Sequence, residues 1–204
     1  IQQNKGSHII PSSSKIKAEL LLNSLDVFGR LRNVYGILSL ILLGFFFYSV
    51  FNLKSDVGRY TLWAFYILFT LFIFHTIGLG LRWYVSGRAP WSNGYESMIY
   101  ISWTTMLAGL FFSRKSLGGM AATTVLAATI LLVAGMSWLD PEITPLVPVL
   151  KSYWLTIHVS LEAGSYGFLM LGAVIGMLNL ILMIITNDKN KENIYRTIRE
   201  LTII

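Results

Sequence analysis

No cysteine occurs in the 204 residues. The chain therefore supplies no disulfide, no thiolate ligand and no cysteine nucleophile. Charge is almost as scarce. Asp, Glu, Lys and Arg make up 13% of the residues, where soluble domains carry about a quarter. Acidic groups are the rarer kind, 10 against 16 basic. Three catalytic signatures are also missing: a phosphate-binding loop, an HExxH pair, and a placeable Ser-His-Asp set.

What is present is apolar. Hydrophobic residues make up 54% of the chain, gathered in runs that approach or exceed the roughly 20 residues that span a bilayer. The expected fold class is all-α: a polytopic integral membrane protein with about five transmembrane helices here. The formal charge of +6 sits beside the apolar runs. It reads as helix-end anchoring in a lipid bilayer, not as a nucleic-acid surface.

In chain order, residues 1–14 read as a polar linker with Pro11 and a serine run, where His8 is an exposed linker residue. Residues 15–32 mix apolar and charged positions at helical spacing, the pattern of an interfacial helix. Residues 1–33 thus form an extracytoplasmic linker and interfacial helix, and 34–204 a transmembrane domain. Spans are expected over about Val34–Leu53, Tyr60–Tyr84, Glu96–Phe112 and Gly118–Trp138, with a last stretch from Tyr153 to Thr186. That stretch would reach about 50 Å, beyond a hydrocarbon core of about 30 Å, so one end stands clear or the helix tilts. The first residue, Ile1, and the closing "IYRTIRELTII" read as cut ends of a longer protein.

Loop charge gives the orientation. Lys54, Arg59, Arg114, Lys115, Lys189, Lys191, Arg196 and Arg199 gather on one side, against Arg82, Arg88 and Lys151 on the other. The richer side is expected in the cytoplasm, so the 84–96 and 139–152 loops face outward, in a plasma or inner membrane. This counts Lys5, Lys15, Lys17, Arg30 and Arg32 as the end of a translocated upstream domain.

The detailed stretch is "APWSNGYESMIYISW", Ala89–Trp103, where an ordered polar and aromatic loop runs into a membrane helix. Glu96 suits a helix N-terminus, with Ser92 or Asn93 as its cap. Arg82 either snorkels or, beside Trp91 and Tyr95, offers a flat surface for a planar anionic ligand. An aromatic belt at the interface explains the same rings. His158 lies near the outer end of the last helix, either as a metal or haem-iron ligand or as an interface histidine. Glu162, one turn on, can orient His158 or simply face water. His75 lies deep in the second span and reads first as a packing residue with one satisfied hydrogen bond. Gly172 and Gly176 form a small-xxx-small pair, read as helix packing.

"LRWYVSGRAPWSNGYESMIYISW", Leu81–Trp103, resembles the hallmark segment of the CcsA (ResC-like) cytochrome c biogenesis proteins. "YWLTIHV", Tyr153–Val159, followed by Ser165-Tyr166, is a second match. The resemblance covers residues 34–204, and the segment before it is similar to the junction where a CcsB-type domain is fused upstream. It implies haem export and attachment to apocytochrome c, with this chain as part of a membrane cytochrome c synthase. The cofactor is a b-type haem in transit, and His158 is an external axial ligand to its iron. Trp91, Tyr95, Arg82 and Arg88 line the haem chamber. The implied partners are an apocytochrome c with a CxxCH motif and a CcsB-like domain. The family's tryptophan-rich WWD segment, second external histidine and later membrane histidine are absent from these residues. A structural membrane subunit, or a transporter of another solute, is the alternative.

Overall fold

The computed structural model describes residues 13–52, 57–143, 152–186 and 191–204. His8, Lys54, Lys151, Lys189 and most of the proline-rich loop lie outside the described residues. Seven helices make up the rest: α1 (Ser13–Leu25), α2 (Val27–Phe51), α3 (Val57–Ser86), α4 (Gly94–Phe112), α5 (Leu117–Ala134), α6 (Tyr153–Ile184) and α7 (Lys191–Thr202). The all-α class follows from the long apolar runs, because a membrane span must satisfy every backbone group within itself.

Among the described residues, four helical segments are long and apolar enough to cross a membrane: Ser13–Phe51, Gly58–Ser86, Leu117–Ala134 and Tyr153–Ile184. The chain is a multi-pass membrane protein. The expected count was about five. The other expected span, α4, has 19 residues, long enough to cross the bundle, but it carries Glu96, Ser102, Thr104 and Thr105. All four are buried, and the three hydroxyls bond to backbone carbonyls of Ala127 and Ile101. Apolarity is thus replaced by internal hydrogen bonding, which serves equally well away from lipid.

The helix that carries the first span begins before the apolar run does. α2 starts at Val27 and follows α1 after a single break at Asp26 (φ 38°, ψ 53°). Aspartate tolerates this left-handed geometry better than most residues. The break lets α1 lie along the end of α3 that carries residue 86: Tyr84 Oη donates to Ser14 Oγ at 3.2 Å.

α5 is the central helix. Its apolar window is 67% buried, against 28% for each of the other three candidate spans. Small residues allow the close approach: a Cβ at Gly109 would overlap Thr123, and one at Gly118 would meet Phe46 at 2.5 Å. On α6 the contact glycine is Gly167, where a Cβ would fall 2.8 Å from the Thr105 backbone nitrogen and 3.0 Å from the Ile101 carbonyl. This corrects the Gly172–Gly176 expectation. Neither of those glycines has anything within 4 Å of a Cβ; both lie on the exposed face of α6. Spacing finds small pairs but cannot tell which face meets a neighbour.

At the opposite end of the bundle α7 buries Ile194, Ile198 and Leu201. Its Asn193 amide donates to the Ser49 and Val50 carbonyls at 3.1 and 2.8 Å. These belong to the last turn of α2, whose final carbonyls lack helical partners.

Candidate functional site

The loop between α3 and α4 closes around one carboxylate. α3 ends at Ser86, whose hydroxyl donates to the Arg88 carbonyl at 2.9 Å. Gly87 takes φ +66°, a turn that glycine adopts without a Cβ clash. This brings Arg88 back over the start of α4. There Asn93 is the N-cap: its Oδ1 accepts from the Glu96 backbone N–H at 2.7 Å. Of the two expected caps, Asn93 fills the position.

Glu96 then serves as more than a helix-dipole partner. Its Oε1 accepts from Arg82 Nε at 3.1 Å, and its Oε2 from Arg88 Nη1 at 2.7 Å. The Ser92 backbone N–H donates to the same Oε2 at 3.0 Å. The Glu96 side chain is fully buried, and those of Arg82 and Arg88 are 5% and 11% exposed. Arg82 is further held by the Pro141 carbonyl at 2.9 Å and by the Tyr95 ring, 5.0 Å from its guanidinium carbon. A buried carboxylate with two guanidinium partners and a backbone donor offsets the cost of removing three charges from water. The result is a rigid loop that also clamps the segment after α5.

The aromatic residues divide between two sides of this clamp. Tyr95 packs edge-on to Phe28 at 6.4 Å. With Asp26, Arg32, Ser137 and Asp140 it lines a cavity of about 550 Å³ among α2, α4 and α5. Trp91 faces α6 instead. Its indole N–H donates to the Thr156 carbonyl at 3.2 Å, and its ring meets Tyr100 at 4.7 Å and Trp83 at 5.5 Å. A smaller cavity of about 250 Å³ lies between residues 91–97 and Leu155, Thr156 and Val159 of α6. The structure therefore brings Trp91 to the His158 helix, and sets Tyr95 and Arg82 behind the loop.

The row of rings continues inward from Trp91. Tyr100 stacks on Trp103 at 5.8 Å, and Trp103 on Phe72 at 5.3 Å. Trp103 is anchored by a 2.8 Å hydrogen bond to Thr76. Tyr100, Trp103 and Phe72 were not singled out in the sequence. The i, i+3 spacing of Tyr100 and Trp103 was the available signal for their shared face.

His158 lies on the exposed face of α6, its side chain 73% accessible. Nε2 is 3.7 Å from Glu162 Oε2, too long for a hydrogen bond. Trp154, one turn before, and Leu161, three residues after, are 78% and 70% exposed. The imidazole is thus accessible, with Trp154 and Leu161 on the same side of the helix and Glu162 one turn on. Among the described residues, no group of three or more His, Asp or Glu side chains is placed to hold a bare metal ion.

His75 is fully buried. Its Nε2 lies 3.2 Å from the Ile99 carbonyl. A carbonyl only accepts, so Nε2 carries the proton. The ring packs against Phe28 at 5.8 Å and Tyr35 at 6.3 Å. This matches the expected packing histidine with one satisfied hydrogen bond.

Comparison with known proteins gives this geometry a family. The profile described as "Cytochrome C assembly protein" matches residues 91–204, which begins at Trp91 and includes α4, α5 and the His158 helix. "Protein NrfI" of Wolinella succinogenes is 45% identical over all 204 residues, a length that is 22% of that protein. "Cytochrome c biogenesis protein CcsA" of Pyropia yezoensis is 34% identical over 119 residues, 56% of this chain and 36% of that protein. The protein of the same name from Aethionema grandiflorum is 32% identical over 160 residues, 76% of this chain and 48% of that protein. The chain spans less than half the length of each of these relatives. It belongs to the cytochrome c assembly protein family, as a multi-pass membrane protein of the CcsA and NrfI type.

Proposed function

We propose that this chain forms part of a site that receives haem at the extracytoplasmic face and offers it to an apocytochrome c for attachment at a CxxCH motif. Haem is the substrate here, and His158 supplies one axial nitrogen to its iron. The observation that carries this reading is the accessible imidazole of His158 on a helix whose carbonyl at Thr156 is tied to Trp91. The residues suit the substrate. Trp154, Leu161 and Trp91 offer apolar and aromatic surface, and no described hydrogen bond occupies the His158 ring. Bound haem would supply electrophilic vinyl groups, and the attacking thiols belong to the apocytochrome, in keeping with a chain that has no cysteine.

Position supports the same assignment. α6 has 32 residues, about 48 Å at 1.5 Å per residue, against a core of about 30 Å. If its Ile184 end sits at the cytoplasmic boundary, His158 stands beyond the hydrocarbon, where an imidazole reaches iron without burial in lipid. Arg114, Lys115, Lys191, Arg196 and Arg199 all lie at the Ile184 end of the bundle, which orients that end to the cytoplasm. Trp91 borders the haem chamber, while Tyr95, Arg82 and Arg88 shape it by fixing the loop from behind. A CcsB-like domain is the natural upstream partner.

The test uses the full-length protein. His158→Ala should lose bound haem, read as Soret absorbance per protein, and cytochrome c maturation together. Added imidazole should partly restore both, because it can refill an iron coordination position but cannot repair packing. Normal haem content in the variant would remove His158 as ligand and favour a structural subunit or a transporter of another solute.

A further inference from the structure

Three side chains on one face of α6, at 158, 162 and 166, form a line. Tyr166 Oη donates to Glu162 Oε1 at 3.1 Å, and the other carboxylate oxygen, Oε2, is turned to His158 Nε2 at 3.7 Å. One oxygen of Glu162 is therefore held by the phenol, and the other faces the imidazole edge without yet bonding to it. The carboxylate plane is fixed by the phenol, which itself lies on the exposed face of the helix. We propose that Glu162, held by Tyr166, is a positioning residue for His158: it engages the ring nitrogen opposite the iron, and its charge favours the oxidised metal. This deepens the proposed haem site and rests on it.

Helix geometry explains why the arrangement has to be built. Counting back from Ile184, Glu162 lies 22 positions away, about 33 Å along the axis. That is the outer boundary of a core about 30 Å thick, and Tyr166 falls just within it. At that boundary the carboxylate can meet water on one side, and Tyr166 gives it a partner on the other. As a contribution to folding, an exposed i, i+4 pair counts for little. The chemistry is different when the imidazole binds a metal. A ligating histidine usually gives its second ring N–H to a carboxylate, which fixes the ring's rotation and makes the ligand more basic. Closing the 3.7 Å separation to hydrogen-bond distance would make that bond.

The relay predicts a graded effect. Losing the Glu162 charge removes both the orientation and the electrostatic preference for ferric iron. Losing the Tyr166 hydroxyl loosens the carboxylate but leaves its charge. Removing such outer partners elsewhere costs about 10–100-fold in metal affinity.

The experiment is a potentiometric titration and a haem-binding measurement on the full-length membrane protein, wild type against Glu162→Gln, Tyr166→Phe, the double variant and His158→Ala. Glu162→Gln should weaken ferric haem binding about tenfold relative to ferrous. The reduction potential then rises by about 59 mV, the one-electron equivalent of that factor. Tyr166→Phe should raise it by less, and the double variant should match Glu162→Gln, because the tyrosine acts through the carboxylate. Tyr166→Phe keeps the test open if Glu162→Gln does not insert. Unchanged potentials in both single variants, with haem lost in His158→Ala, would overturn the positioning role and leave the haem site standing. Normal haem and potential in His158→Ala would overturn both.

Discussion

The indole N–H of Trp91 donates to the backbone carbonyl of Thr156 at 3.2 Å, two residues before His158. A loop that begins at the end of α3 is thereby bonded to a helix 65 residues further on.

Trp91→Phe removes the donor and keeps an aromatic ring; Trp91→Ala removes both. If the ring borders the haem chamber, Trp91→Ala should insert normally yet retain less haem. Trp91→Phe should fall between it and wild type. Soret absorbance per inserted protein measures this. Equal, normal haem in both variants would reduce Trp91 to a belt residue.

Glu96→Gln tests the loop itself. The substitution keeps the shape and removes the buried negative charge that Arg82 and Arg88 share. Removing one partner of a buried ion pair typically costs about 3–5 kcal/mol. The expected result is a lowered thermal transition in detergent and new protease cleavage between residues 84 and 96. An unchanged transition would show that water reaches the two guanidinium groups.

Orientation can be read with single cysteines, since the chain has none of its own. Glu142→Cys, at an exposed position beside the loop, should react with an impermeant thiol reagent in intact cells. Arg114→Cys, at the other end, should react only after the membrane is opened. The reverse pattern would turn the bundle over and put the His158 end in the cytoplasm.

Helix packing distinguishes two glycines that look alike in sequence. Gly167→Val would drive methyl groups into Thr104 and the α4 backbone, with an overpacking cost of about 1–3 kcal/mol. Gly172→Val meets open space and should leave the thermal transition within error of wild type. A larger loss at Gly172 would mean that a further helix packs on that face.

The sequence by itself determined the class of the molecule. Long apolar runs in a bilayer have one way to satisfy their backbone, so helices α2, α3, α5 and α6 follow from composition and length. It also narrowed the cap of α4 to Ser92 or Asn93, because turn chemistry is local and each lies within a few positions of what it would organise. Tertiary structure decided the rest. Hydropathy cannot register that α4 buries its polar residues against neighbours, since burial depends on what stands opposite. Periodicity could not say that Gly167, and not Gly172 or Gly176, meets α4. Above all, Arg82, Arg88 and Glu96 read singly as a snorkelling residue, a loop charge and a helix-dipole partner. They form one buried cluster because α3 and α4 are antiparallel, and the Ser86–Arg88 turn brings their ends within hydrogen-bonding distance. The same packing turned Trp91 toward α6 and Tyr95 away from it, a choice between two faces of one helix start that no spacing of four residues could make.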